Sequence, residues 1–376
     1  MSTDNLCVYP SLSSILSCRG IIKSDYDDSL NQYCYINCDE TMSEDYKRCR
    51  GLIYNNNDEL VVGTLPYTRE YLPNEFSTID VSNFGKWRCF TSKEGTLLRM
   101  FFYEGQWYLA TQKKLNAFYS RWSSRKSFGL LFIYALGKLL NNTKDTYNEF
   151  CKLLNKEKQY LFLLINNSEN SIIRNTETDE ELYHVGTFYK SEGNTYLDLD
   201  DKVEPVPHPT ELYYNNIDEL LSEFSTLSHT KCQGIMCFLP GNNQIKLVLP
   251  EYHKWNIVRG NQPSLRYRFL EVRDDLDMLN KLIELYPEKY NLFEKYEQCL
   301  SDTAMYIYNA YVDRYIKKLY VQLPKEEYVI MQKCHTYYTN YGNSITYDIV
   351  KKILCDQPRG YINRIINRVL YQRNDE

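Results

Sequence analysis

The stretch Thr91-Ser92-Lys93-Glu94-Gly95-Thr96-Leu97-Leu98-Arg99 decides how the rest of the chain is read. Glu94-Gly95 marks a break, and the run that follows at 97–102 is apolar and β-favouring. A turn at Tyr103-Glu104-Gly105 leads into a second run at 106–111, so the whole reads as a β-hairpin. Upstream, Leu52-Ile53-Tyr54, Asn55-Asn56-Asn57-Asp58 and Glu59-Leu60-Val61-Val62-Gly63 read as another hairpin. Downstream, one helix-like segment at about 128–154 interrupts the pattern. Further strands are expected at 160–165, 171–174, 234–239 and 244–249.

The ends of the chain read differently. Residues 1–45 are rich in Ser, Asp, Asn and Cys and show no sustained period, so they are expected to be irregular. After about Asp274 the apolar spacing becomes helical, with Leu276, Leu279, Ile283 and Tyr286, then Leu300, Ala304, Ile307, Tyr308, Tyr311 and Tyr315. The tyrosines in this stripe read as helix–helix packing. The expected fold class is therefore α+β: a domain with antiparallel sheets over 46–273, followed by an all-α domain over 274–376.

Composition bounds the function. With 376 residues, 43% hydrophobic and 25% charged, the chain is long enough for more than one substantial core. No apolar run reaches the length of a membrane span, and the N-terminus lacks a signal-peptide pattern, so no membrane partner is expected. Twelve cysteines then read as free thiols in a reducing compartment, cytoplasmic or viral. Cys34 with Cys38 and Cys232 with Cys237 fit no standard zinc spacing, and no metal site is expected from them.

A net charge of −5 argues against general adhesion to polyanions, but the cations are clustered. No acidic residue lies between Glu104 and Asp145, while Lys113, Lys114, Arg121, Arg125, Lys126, Lys138 and Lys144 fall inside. Trp107, Phe118, Tyr119, Trp122 and Phe128 are interleaved with them. Cations for phosphates and flat rings for bases are what a single-stranded nucleic-acid groove needs, single-stranded RNA included. A second basic stretch, 253–273, carries Lys254, Arg259, Arg266, Arg268 and Arg273 against one acid, Glu271.

The order of several segments resembles phage-type RNA ligases, within the covalent nucleotidyltransferase superfamily. Cys49-Arg50-Gly51-Leu52-Ile53-Tyr54 resembles the strand before the nucleotide site, and Leu65-Pro66-Tyr67-Thr68-Arg69-Glu70-Tyr71 the element after it. Ser92-Lys93-Glu94-Gly95 resembles the K-x-D/E-G nucleophile motif, and Phe162-Leu163-Leu164 with Asn170-Ser171-Ile172-Ile173 the third motif. Gln233-Gly234-Ile235-Met236 and Ile245-Lys246-Leu247-Val248 resemble the fourth and fifth. The segments 120–129 and 266–273 resemble ligase-like proteins of large DNA viruses, and the 36 tyrosines suit an AT-rich genome of that kind.

The resemblance implies a ligase-type fold, an ATP or GTP site needing Mg²⁺ if active, and nucleotide contacts from Arg50, Glu94, Arg99 and Lys246. It also exposes departures. The attacking lysine's position holds Ser92, with Lys93 one residue late; Arg69 stands where lysine is usual; the glutamates of the third and fourth motifs correspond to Leu163 and Gln233; and the fifth motif's second lysine is Val248. Losing one preorganised charged group from such a site costs on the order of 10² to 10³ in rate, and these losses all act in one direction.

The expected function is a degenerate RNA-ligase-like domain that binds nucleic acid through Lys113, Lys114, Arg121, Arg125, Lys126, Lys254, Arg266 and Arg268. An active ligase using Lys93, with Asp198, Asp200 or Asp201 replacing the missing carboxylates, is an alternative. A structural subunit of a viral transcription or RNA-processing assembly, docking a protein partner through its helical C-terminal domain, is another.

Overall fold

The computed structural model describes residues 5–122, 124–141, 145–166, 171–173 and 180–374. The first half of the chain forms β1 (Leu6–Cys7), α1 (Leu12–Ser17), β2 (Ile21–Tyr26), β3 (Leu30–Tyr35), α2 (Glu44–Arg48), β4 (Arg50–Asn55), β5 (Leu60–Val62) and β6 (Arg69–Tyr71). Next come β7 (Arg88–Ser92), β8 (Thr96–Tyr103), β9 (Gln106–Ala110), α3 (Phe128–Leu140), α4 (Thr146–Leu153), β10 (Gln159–Asn166), β11 (Glu180–Ser191) and β12 (Asn194–Asp198). They are followed by β13 (Glu211–Leu212), α5 (Ile217–Phe224), β14 (Gly234–Leu239) and β15 (Asn243–Val248). The remainder is helical: α6 (Pro250–Arg259), α7 (Leu265–Val272), α8 (Leu276–Leu285), α9 (Tyr290–Tyr311), α10 (Lys325–Tyr341), α11 (Tyr347–Cys355) and α12 (Arg359–Asn374).

The chain divides into two compact units, Met1–Asn256 and Ile257–Glu376. The first holds three sheets, of order β1-β12-β11-β10-β8-β9, β13-β7-β14-β15-β6 and β2-β3-β4-β5. Described pairings are antiparallel except β15 with β6. The α+β class with antiparallel sheets, then helices, is what the periodicity predicts. The helical region begins earlier than the expected 274, because α6 and α7 already occupy 250–272.

The six-stranded sheet packs on both faces, since successive side chains of a strand point to opposite sides. Leu98, Met100, Phe162 and Leu164 of the six-stranded sheet pack on Phe132 and Leu136 of α3 and Phe150 of α4. On the opposite side, Leu161 and Phe188 meet Phe90 and Phe238 of the five-stranded sheet. The site lies on the margin of that second layer.

Three expectations are corrected. The 128–154 segment is two helices, because Asn141 ends α3 in the left-handed region at φ 48°; residues 142–144 are outside those described. No strand forms at 171–173, where the backbone bends, and Arg174 lies outside the described residues. Residues 1–45 are not wholly irregular: α1 buries Leu12 and Ile15 against Tyr33, Leu52 and Tyr54, and β2 and β3 extend the β4–β5 hairpin into a sheet. The two-residue β1 and six-residue α1 are too short to show a period in sequence.

Candidate functional site

β7 and β14 pair with Ser92 across from Gly234, which sets the segment that resembles the nucleophile motif beside the one that resembles the fourth. Gly234 has φ +142°, and a Cβ there would lie 1.9 Å from the Leu247 carbonyl oxygen on β15, so only glycine fits. Ser92 is 4% exposed, and its hydroxyl donates to Gln233 Oε1 at 3.1 Å. Gln233 Nε2 in turn donates to the Tyr252 hydroxyl at 2.7 Å. The backbone locks the same pair, with Gln233 N–H bonded to Ser92 C=O at 2.8 Å.

This arrangement is chemically quiet. An attacking hydroxyl needs a base within hydrogen-bond reach, and a primary amide oxygen accepts a hydrogen bond without taking the proton. Glutamate at 233 would supply a charge; glutamine supplies only polarity.

Lys93 turns to a different sheet. Its ammonium lies 3.7 Å from Glu181 Oε2 and 4.8 Å from the centre of the Tyr183 ring, both on β11. The Tyr183 hydroxyl also donates to Glu181, at 2.8 Å. Burial pulls the amine's pKa down, but the Tyr183 hydroxyl and the Glu181 carboxylate outweigh it and hold it above the ordinary lysine value. A nucleophilic amine needs the opposite shift. Nothing in the sequence marks Glu181 and Tyr183, which alternate with buried Leu182 and His184 as the half-exposed face of a strand.

The remaining motif residues have partners of their own. Glu94 accepts from the backbone N–H groups of Ile172 and Ile173, at 3.0 Å each, and so fixes the third-motif segment. Gly95 lets β8 approach β10: a Cβ there would sit 2.7 Å from the Leu164 carbonyl oxygen. Arg50 donates to Pro66 C=O and to Thr68 Oγ1, both at 3.2 Å. Lys246 is clamped to Glu70 at 2.6 Å, and Arg69 pairs with Glu40 at 3.4 Å. Leu163 is half-buried opposite Leu97 and Tyr183.

Arg99 is neither a cleft residue nor a surface cation. It is 2% exposed and donates to the carbonyls of Gly51, Gly63 and Thr111. Gly51 is the extra residue where the β3–β4 register slips, so Arg99 serves a backbone carbonyl beside a bulge. Burial above all, with the nearby Arg50 charge adding to it, pushes its pKa down to about 10, and no carboxylate stands against it.

The basic stretches separate on folding. Trp107, Phe118 and Phe128 pack against the α3–α4 core rather than facing a groove. Lys114 pairs with Asp25, and Lys126 and Lys138 share Glu180. Lys113, Arg121 and Arg125 stay exposed and make no ion pair among the described residues; Tyr119 beside them is 84% exposed. Lys144 is outside the described residues. In the second stretch Lys254 pairs with Glu251 and covers Trp255. Arg266 bonds Asn363, Arg268 bonds Glu271 and the Val258 carbonyl, and Arg273 bonds Glu297, so these three brace helices.

The residues present do not fit a metal–nucleoside triphosphate. Glu94 and Glu181 are committed to the contacts above, and Lys246 is neutralised. Asp200 pairs with Arg88 at 2.8 Å and Asp201 with Lys158 at 3.0 Å, so neither replaces a missing glutamate. Among the described residues no three His, Cys, Asp or Glu side chains gather as a metal site.

A buried histidine and a half-buried partner lie beyond this site. His184, fully buried, faces His208 at 3.4 Å and Thr187 Oγ1 at 3.0 Å. Burial, then His208, lowers its pKa to about 4.

No protein-family model matches the chain. Among curated proteins it is similar to the immediate-early protein ICP-46 homolog of Invertebrate iridescent virus 6, 26% identical over 372 residues, covering 91% of this chain and 81% of that one. The homolog from Invertebrate iridescent virus 3 is 26% identical over 296 residues, 75% of this chain and 63% of the relative. Immediate-early protein ICP-46 of Frog virus 3 (isolate Goorha) is 26% identical over 201 residues, and the chain spans 50% of its length. Among solved structures it is similar to an archaeal ATP-dependent RNA ligase, at 11% identity and TM-score 0.42, covering 74% of this chain and 77% of that one. It is also similar to a putative ATP-dependent DNA ligase from Aquifex aeolicus, at 11% identity and TM-score 0.40, covering 76% and 79%. Neither likeness to a ligase carries an activity over to this chain.

Proposed function

We propose that this chain is a ligase-like nucleotidyltransferase domain that no longer forms a lysyl-nucleotide and instead binds single-stranded RNA. The observation that carries the reading is the closed chain Ser92–Gln233–Tyr252, in which the nucleophile position and the fourth-motif position satisfy one another. The ion pairs Lys93–Glu181 and Lys246–Glu70 support it, since both surviving lysines are held as paired cations. Binding rests on the exposed loop ahead of α3, where Tyr119 offers a ring and Arg121 and Arg125 offer cations. The viral relatives support a role within a viral protein set.

The test is incubation with α-labelled ATP or GTP and Mg²⁺, followed by denaturation. No labelled adduct is expected on the wild type or on Ser92→Lys, which restores the amine but not the charges missing at 163, 233 and 248. A stable adduct that Lys93→Ala abolishes overturns the inactive reading. For binding, an Arg121→Glu, Arg125→Glu variant should weaken capture of labelled single-stranded RNA. It should also flatten the salt dependence by roughly 0.7 in log–log slope for each phosphate that the loop no longer neutralises. Unchanged affinity and slope would remove this loop from the interface.

A further inference from the structure

A cleft of about 490 Å³ opens between the β4–β5 hairpin and residues of β8, β10 and β11, all within the first unit. It is separate from the ligase-like site. Lys93 lies just ahead of β8, whereas Phe102 and Tyr103, at the far end of that strand, line the cleft. The rise along the strand from Thr96 to Phe102 is about 20 Å. Gln159 braces the wall: its Nε2 donates to the Val61 carbonyl and its Oε1 accepts from Gly63 N–H, which ties the hairpin to β10.

Two lining cations are oriented without being neutralised. Lys156 Nζ lies 4.5 Å from the centre of the Phe102 ring, and Lys190 Nζ donates to the Leu60 carbonyl at 3.3 Å. Both side chains are exposed, and among the described residues neither makes an ion pair. A ring face or a carbonyl positions an ammonium group and leaves its charge available to an anion. Lys93 and Lys246 differ, since each faces a carboxylate, and Lys158 on this same lining is paired with Asp201.

The acids narrow the choice of anion. Glu59 and Glu157, both exposed, share the lining, and Asn55 Nδ2 holds Glu59 at 2.8 Å. Two carboxylates against two free ammonium groups oppose a polyphosphate. They suit one phosphate on a molecule that also carries hydroxyl donors, because carboxylates accept from ribose hydroxyls. Leu60, Val61 and Tyr103 add an apolar wall on which a flat ring can lie. The volume is that of a small-molecule site and exceeds what inorganic phosphate fills.

We propose that this cleft binds a nucleoside monophosphate unit. Its phosphate sits on Lys156 and Lys190, its ribose hydroxyls face Glu59, and its base lies on the apolar wall. The unit is either a free nucleotide or one residue of a single RNA strand. The proposal does not depend on the loop ahead of α3.

Equilibrium dialysis of the full chain against labelled AMP and CMP tests it. Neither has a pyrophosphate to lose, so retention cannot be confused with a lysyl-nucleotide. Saturable one-to-one binding is expected, with half-saturation on the order of 0.1 mM. Unlabelled nucleoside and inorganic phosphate should each compete at least about tenfold more weakly. Lys156→Glu, Lys190→Glu should weaken binding at least about tenfold and Lys156→Gln, Lys190→Gln several-fold, with melting curves unchanged because both side chains are exposed. Lys93→Ala should bind as the wild type does. A single-stranded oligoribonucleotide that displaces the nucleotide, and is itself weakened by the same variants, identifies the strand as the source; failure to displace identifies the free nucleotide. Retention of neither nucleotide at several millimolar overturns the proposal, as does normal binding by both double variants. Loss of binding in Lys93→Ala or Lys246→Ala also overturns it, by placing the nucleotide in the ligase-like site.

Discussion

Arg99→Leu separates a structural role from a nucleotide contact more sharply than any other change. The guanidinium serves three carbonyls, but Thr111 C=O also accepts from Gln32 Nε2 at 2.7 Å and keeps a partner when arginine is removed. Gly51 and Gly63 lose their bond to Arg99. An orphaned buried acceptor costs roughly 1–3 kcal/mol, so the pair costs about 2–6 kcal/mol. Part of that is returned, because burial already disfavours the charge, as the lowered pKa of about 10 records, and leucine adds apolar contact. The net expectation is a loss of about 2–4 kcal/mol. Urea unfolding at pH 7 reads it directly, provided the slope m is unchanged. Arg99→Lys keeps the charge but not the fork that reaches separate carbonyls, and should fall between. A stability within about 0.5 kcal/mol of wild type would refute the reasoning. Unchanged stability with loss of measurable ATP binding would return Arg99 to the nucleotide site.

Two further predictions rest on single contacts. His184 is neutral in the fold, with a pKa lowered to about 4 from 6.5, so the unfolded chain binds the extra proton first as pH falls. Stability contributed by the neutral ring is full above pH 6.5 and is lost towards pH 4, by up to about 3 kcal/mol; thermal melts across that window should show a slope that His184→Gln flattens. Asp201 beside it, also lowered, loses its contribution only below the carboxylate range, so the two effects are separable. Gly234→Ala should cost more than about 3 kcal/mol or abolish soluble expression, since its Cβ would meet the Leu247 carbonyl. Gly105→Ala, at φ +87° but with nothing within 4 Å, should cost only about 1 kcal/mol by the same melts.

Much of the architecture is legible without coordinates. The hairpins β4–β5 and β8–β9 announce themselves by turn residues between β-favouring runs, and the helical region by its spacing. These are local signals: alternation at two and recurrence near four residues follow from backbone geometry alone. Ser92, Leu163, Gln233 and Val248 are likewise legible as departures from a motif, because chemical identity is written in the residue.

What the residues then do depends on distance in space. That Ser92 meets Gln233 is set by the β7–β14 register, across 141 positions of sequence. That Lys93 is held by Glu181, Lys246 by Glu70 and Lys126 by Glu180 depends on strands and helices that meet only in the folded chain. The basic run at 104–145 looks like one charged surface because the acids that neutralise it lie elsewhere in the sequence. Sequence alone determined which groups this protein possesses and which it lacks. Only tertiary structure decided which cations remain free and that Arg99 lies inside, because ion pairing and burial are long-range consequences of packing.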